Sequence, residues 1–127
     1  MKVVINTCHG GFALSEEGFE YLIKKRGWKT TTWDDNGKLV DKSAPIIKTE
    51  GRYGFQDKYY FNSELTDNNK KKFRTHPDLV EVVEKLGYRA NTSLSSLKVV
   101  NVPDDVEWYI EEYDGAEWIA EEHRTWS

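Results

Sequence analysis

Val106-Glu107-Trp108-Tyr109-Ile110-Glu111-Glu112-Tyr113-Asp114-Gly115-Ala116-Glu117-Trp118-Ile119-Ala120-Glu121-Glu122-His123 is the stretch whose reading decides the fold. Aromatic and β-branched residues alternate with carboxylates on both sides of Asp114-Gly115, a dipeptide suited to the left-handed backbone of a two-residue hairpin turn. Val106 to Tyr113 and Ala116 to His123 therefore read as paired strands. A two-residue turn sets Tyr113 opposite Ala116 and Ile110 opposite Ile119. One face then collects Val106, Trp108, Ile110 and Ile119 and is the expected core side. The other presents Tyr109, Tyr113 and Trp118 among Glu107, Glu111 and Glu122, and these three aromatics form the expected partner interface.

Upstream of the hairpin, Leu97-Lys98-Val99-Val100-Asn101-Val102 reads as a strand closed by the turn Pro103-Asp104-Asp105. Lys2-Val3-Val4-Ile5-Asn6 reads as a buried strand at the other end of the chain. Thr7-Cys8-His9-Gly10-Gly11-Phe12 ends it, and Ser15 is placed to cap a helix with Glu16 and Glu17 in its first turn. Phe19, Leu22 and Ile23 fall on one face of that helix, Lys24-Lys25-Arg26 suit its negative end, and Gly27 stops it. A second helix begins at Pro77, carries Leu79, Val82, Val83 and Leu86 as its apolar stripe, and stops at Gly87. The architecture expected from this order is α+β, a small mostly antiparallel sheet with two helices packed on one face and a C-terminal β-hairpin.

From Asp41 to Arg74 the pattern is weaker than in the stretch before it. Thr30-Thr31-Thr32-Trp33 looks extended, Asp34-Asp35-Asn36-Gly37 is turn chemistry leading into Lys38-Leu39-Val40, and Lys58-Tyr59-Tyr60-Phe61 reads as a strand. Asp67 to Arg74 reads as a polar, basic connector. The expectation is a single domain over residues 1–127 with a variable, exposed insertion at about 34–74.

Composition narrows the function classes. The 127 residues are 38% hydrophobic and include five Trp, seven Tyr and five Phe, enough large apolar surface for a folded core. No apolar run is long enough to span a bilayer, and the N-terminus lacks a signal-peptide pattern, so a soluble, cytoplasmic protein with no membrane partner is expected. The single Cys8 excludes an internal disulfide framework, and with three scattered His it gives no pattern for a metal or other cofactor. The net charge of -4 conceals two unlike parts: residues 1–98 carry 17 Lys and Arg against 13 acids, and residues 99–127 carry one Arg against nine acids. Stable binding to a nucleic-acid duplex is not expected from this balance; a local basic pocket, or an acidic face meeting a basic partner, is compatible with it.

Candidate ligand-binding residues cluster in three places. Backbone N–H groups of Cys8, His9, Gly10, Gly11 and Phe12, with the Ser15 helix start, suit an anion such as phosphate, although the segment lacks the Gly-Lys-Ser/Thr of a P-loop. A plain structural turn needs the same glycines. Arg89 and Asn91 suit a phosphate and a base edge, and Arg124 with Trp126 suits a clamp in which one meets phosphate and the other stacks. Lys70-Lys71-Lys72-Phe73-Arg74 could also contact phosphate, with Phe73 free to stack on a base, against the commoner solvated loop. Cys8 beside His9 reads as an inert buried thiol rather than a nucleophile, and no Gly-x-Ser-x-Gly elbow accompanies His9-Gly10-Gly11. Glu111, Glu112, Glu121 and Glu122 read as solvent-facing hairpin acids rather than metal ligands.

Three segments together carry a resemblance: Val3-Val4-Ile5-Asn6 through Cys8-His9-Gly10-Gly11-Phe12 to Leu14-Ser15; Asp78 to Gly87; and Leu97-Lys98-Val99-Val100, Ile110-Glu111-Glu112-Tyr113-Asp114-Gly115 and Glu122-His123-Arg124-Thr125-Trp126. They resemble a widespread group of small proteins of tailed phages and prophages, over about half the chain and outside residues 34–74. The resemblance implies an accessory protein of the bacterial host cytoplasm and transfers no catalytic residue. It suggests an anti-defence protein similar to phage sponges against Thoeris and cyclic-oligonucleotide systems. Such a protein would be homo-oligomeric and would sequester a small nucleotide ligand, a cyclic oligonucleotide or cyclic ADP-ribose type, without turnover. Two alternatives stay open: an acidic inhibitor of a host protein, as by DNA mimicry, and an enzyme that cleaves the signal with His9, His76 or His123.

Overall fold

The computed structural model describes residues 1–49 and 58–121, and over them the chain has an α+β fold. Its centre is an antiparallel ribbon of β1 (Lys2–Asn6) and β5 (Leu97–Asn101), with Val3 opposite Val100 and Val4 opposite Val99. Alternation along β1 separates two cores. Val4 and Val99 look toward α1 (Glu16–Arg26) and α4 (Pro77–Leu86), joining Leu22, Leu79, Val82 and Val83 in the larger cluster. Val3 and Ile5 look the other way, into a smaller cluster with Val102 and Trp108 supported by Ile110 and Ile119.

That second cluster is closed by the hairpin of β6 (Trp108–Tyr113) and β7 (Ala116–Glu121). The register pairs Tyr113 with Ala116 and Ile110 with Ile119 around a two-residue turn. Asp114 and Gly115 both have positive φ, 52° and 90°, as such a turn demands. The molecule is thus layered as helices, central ribbon and hairpin, and the inner face of the hairpin is the one expected to be core.

Helix boundaries follow local chemistry. The Ser15 hydroxyl accepts the Gly18 N–H and Gly27, at φ 68°, ends α1. Pro77 opens α4, whose capping residue is His76: its ring nitrogen accepts the Asp78 N–H. Arg26 and Tyr21 of α1 both bond Glu81 of α4, clamping the two helices along their exposed edge.

The sequence expectation of an exposed insertion at about 34–74 requires correction. Residues 35–38 are exposed, but Ala44, Ile46, Ile47, Asn62, Thr66 and Arg74 are buried. β2 (Thr30–Thr31) pairs in parallel with β3 (Ile46–Lys48), which pairs antiparallel with β4 (Tyr59–Phe61), so this small sheet is mixed and separate from the central ribbon. The expected basic connector at Asp67 to Arg74 contains a short helix, α3 (Lys70–Arg74), and another, α2 (Ser63–Thr66), precedes it. Strands of two or three residues are too short to display a hydrophobic period, which hid their burial.

Arg74, at the end of α3, is 5% exposed and forms a two-pronged ion pair with the equally buried Glu117 of β7, at 2.6 and 2.8 Å. It also donates to the Val4 carbonyl at 3.2 Å, while the Glu117 carboxylate accepts the Asn6 N–H at 2.8 Å. Burial pushes the Glu117 carboxyl up, but the hydrogen bonds and charge of Arg74, the Asn6 N–H and Lys70 outweigh it and hold the group below the ordinary glutamate range. A lowered folded-state pKa means that stability from this group is complete above the unfolded value, about 4.3, and is lost as pH falls through the folded one. Glu117→Gln, which leaves Arg74 buried without its counter-charge, is expected to cost about 3–5 kcal/mol in urea unfolding at neutral pH. It should also remove part of the decline in stability below about pH 4.3; an unchanged acid profile would contradict this assignment.

Candidate functional site

The residues singled out at the first strand-to-helix turn are brought to one end of the fold, where they meet the loop after α4 and the hairpin tip. Asn6 organises this junction. Fully buried, it donates from Nδ2 to the carbonyls of Cys8 and Gly115 at 2.6 and 2.8 Å, and accepts at Oδ1 from the N–H groups of Cys8 and Ser96 at 3.3 and 2.9 Å. All four of its amide hydrogen-bonding positions are engaged with the backbone.

The glycines of the turn are accounted for by this crossing of backbones. A Cβ on Gly10 would lie 1.9 Å from the Leu94 carbonyl oxygen, and one on Gly115 would lie 2.4 Å from that of His9. Gly11, at φ 95°, directs its N–H back to the Cys8 carbonyl at 3.4 Å. Ser15, besides capping α1, donates to the Arg89 carbonyl at 2.6 Å. The Arg89 guanidinium pairs with Glu17 at 2.7 Å, and the Asn91 side chain accepts the Leu97 N–H. Cys8 is half-buried and His9 exposed. Arg124 and Trp126, the expected clamp, lie outside the described residues, as do Glu122 and His123.

Phe12 leads out of this junction into a cleft of about 360 Å³ between the start of α1, β4 and the two short helices. Its walls are aromatic: Phe12, Phe19, Tyr59, Phe61 and Phe73. Phe73 meets Phe61 and Phe12 edge-on, with ring centroids 4.9 and 5.9 Å apart, and the Arg74 guanidinium lies 3.7 Å from the Phe12 ring centre. The half-exposed Lys58 stands in the lining, 3.7 Å from Glu16, with Ser63, Asp67 and Thr92 as further polar groups. This cleft is more enclosed than two other depressions, one beside Trp28 and His76 and one beside Lys2 and Glu84. Phe61 and Lys58 carry no ligand-binding reading in the sequence, whereas Phe73 and Arg74 belong to the basic run weighed there as a phosphate and base contact against a solvated loop. An aromatic within the basic run Lys70–Arg74 was the signal available for Phe73.

On the opposite layer the hairpin aromatics are where alternation put them: Tyr109, Tyr113 and Trp118 are 43%, 72% and 43% exposed. Glu111 accepts from the Tyr109 hydroxyl and from the Trp118 indole N–H, each at 3.0 Å. Among the described residues no group of three or more His, Cys, Asp or Glu is placed to hold a metal ion, and no helix is long and apolar enough to cross a membrane.

Neither a protein-family model, nor a curated protein, nor a solved structure matches this chain.

Gly10→Ala is expected to destabilise the fold by about 1–3 kcal/mol, because its methyl group would overlap backbone at Leu94 that Asn6 and Ser96 hold in place. Chemical denaturation measures this directly, and a neutral substitution would show the crossing to be looser than described.

Proposed function

We propose that the protein binds a small anionic ligand carrying a planar ring, of the nucleotide class, in the aromatic cleft and retains it without chemical change. The observation that carries this reading is the cleft of about 360 Å³ in which ring edges and faces from Phe12, Phe61 and Phe73 are combined with Lys58 and the Arg74 guanidinium. Aromatic walls favour a planar base by stacking and exclude water from it, while a cation at the wall attracts phosphate. Phe12 links the cleft to the turn first singled out as a ligand site. The phosphate would be met by the Lys58 ammonium, whose present partners, Glu16 and Glu20, stand 3.7 and 3.9 Å away, distances at which exposed pairs exchange readily for a stronger acceptor.

The resemblance to accessory proteins of tailed phages adds a role to this chemistry: sequestration of a nucleotide immune signal, of cyclic-oligonucleotide or cyclic ADP-ribose type, in the host cytoplasm. Capture by mass action requires a dissociation constant below the signal's working concentration and a slow release, both of which a preformed aromatic cleft favours.

The test is incubation of the purified protein with pooled bacterial signalling nucleotides, removal of free ligand, and mass spectrometry of what heating releases. Intact nucleotide is expected from the wild type. Retention should fall about tenfold in Lys58→Gln, at an unchanged unfolding midpoint of the unliganded protein. At a hundredfold excess over its dissociation constant the ligand should stabilise the fold by about 2.7 kcal/mol. Recovery of a chemically altered nucleotide, or of none, would contradict the proposal.

A further inference from the structure

The hairpin's outer face supports an inference independent of the cleft. Trp118, Tyr109 and Tyr113 lie exposed on one side of a twisted two-stranded sheet, and Glu111 accepts hydrogen bonds from Tyr109 and Trp118. Two of the large rings are therefore fixed before any partner arrives, which lowers the ordering cost of binding. Charge says what the partner is. Acids of α1 and α4 are compensated: Glu16, Glu17, Glu20, Asp78, Glu81 and Glu84 each have a Lys or Arg partner. On the outer side of the hairpin Glu107 and Glu111, with Asp114 at the turn, have no ion-pair partner among the described residues, whereas Glu112 and Glu121 alternate with the inner face. Glu117 alone on the hairpin is neutralised there, and it points inward.

Exposed aromatic rings beside unneutralised carboxylates attract Lys or Arg side chains twice over, by ring quadrupole and by charge. A second copy of this chain would bring the same acids against themselves, so like charge opposes self-association across this face. We propose that the outer face of the β6–β7 hairpin is a docking surface for a basic polypeptide segment of a partner protein. Its cationic side chains lie over Trp118 and Tyr113 beside the Glu111 carboxylate.

The experiment is titration of ¹⁵N-labelled full-length protein with a capped peptide of alternating arginine and glycine, following the Trp118 indole N–H resonance, assigned with Trp118→Phe. A peptide with glutamine in place of arginine is the control. A saturable shift at Trp118 is expected with the arginine peptide only. Its affinity should fall about tenfold in Glu111→Gln, an isosteric change at a half-buried residue, and should weaken as salt is raised. A Trp118 resonance that does not move, that moves equally with the glutamine peptide, or that responds unchanged in Glu111→Gln overturns the proposal. So does sedimentation showing a dimer that Trp118→Ala dissociates. Because the cleft lies on the other layer, loss of nucleotide retention and loss of peptide binding are separately observable.

Discussion

Two buried charges hold the layers of this molecule in relation to one another. Arg74 is the last residue of a short helix and Glu117 the second residue of β7, and β1 contributes the Val4 carbonyl and the Asn6 N–H to the same network. Removing either ion from water is costly, and their attraction offsets that cost only because both prongs of the guanidinium are engaged and the remaining carboxylate capacity is filled by backbone. The pair also fixes register. Glu117 facing inward obliges Trp118 to face outward, and a slip by one residue would bury Trp118 and Glu111 while exposing Ile110, Ile119 and Glu117. The exposed aromatic face is thus a consequence of the buried ion pair beneath it.

Arg74 serves the cleft as well. Its guanidinium lies against Phe12, and Phe73, the preceding residue, supplies a wall. One residue thereby joins the hairpin to the proposed ligand site through contacts shorter than a single side chain's reach. Asn6 does for backbone what Arg74 does for charge. Its four hydrogen bonds tie the first turn, the loop before β5 and the hairpin tip, and the glycines at positions 10 and 115 are what allow three backbones to approach so closely.

Long, regular elements were legible in the sequence because they repeat their signal. The hairpin register followed from Asp114-Gly115 and strict alternation, and the helices from Ser15, Gly27, Pro77 and Gly87 at their ends. Of the strands within 34–74 only that at Tyr59–Phe61 was legible; Ile46 and Ile47 are buried in a three-residue strand too short to show a period. Glu117 was missed because a carboxylate in a hairpin ordinarily faces solvent. Yet alternation already placed it with Ile119 on the core side, and a core-side acid requires a buried cation. Arg74 was concealed for the same reason within a run of lysines. A glycine pair after a strand has two physical meanings, a cradle for an anion or a crossing of backbones, and only the positions of Leu94 and His9 reveal the crossing.

Measurement of the coupling between Arg74 and Glu117 tests this account most directly. A double-mutant cycle of Arg74→Met, Glu117→Gln and the combined variant, each unfolded in urea at neutral pH, isolates their interaction from the loss of either side chain alone. The account predicts that the double variant loses much less stability than the two single losses summed, with a coupling of about 2 kcal/mol or more. Additive losses, equal to the sum within about 0.5 kcal/mol, would contradict it.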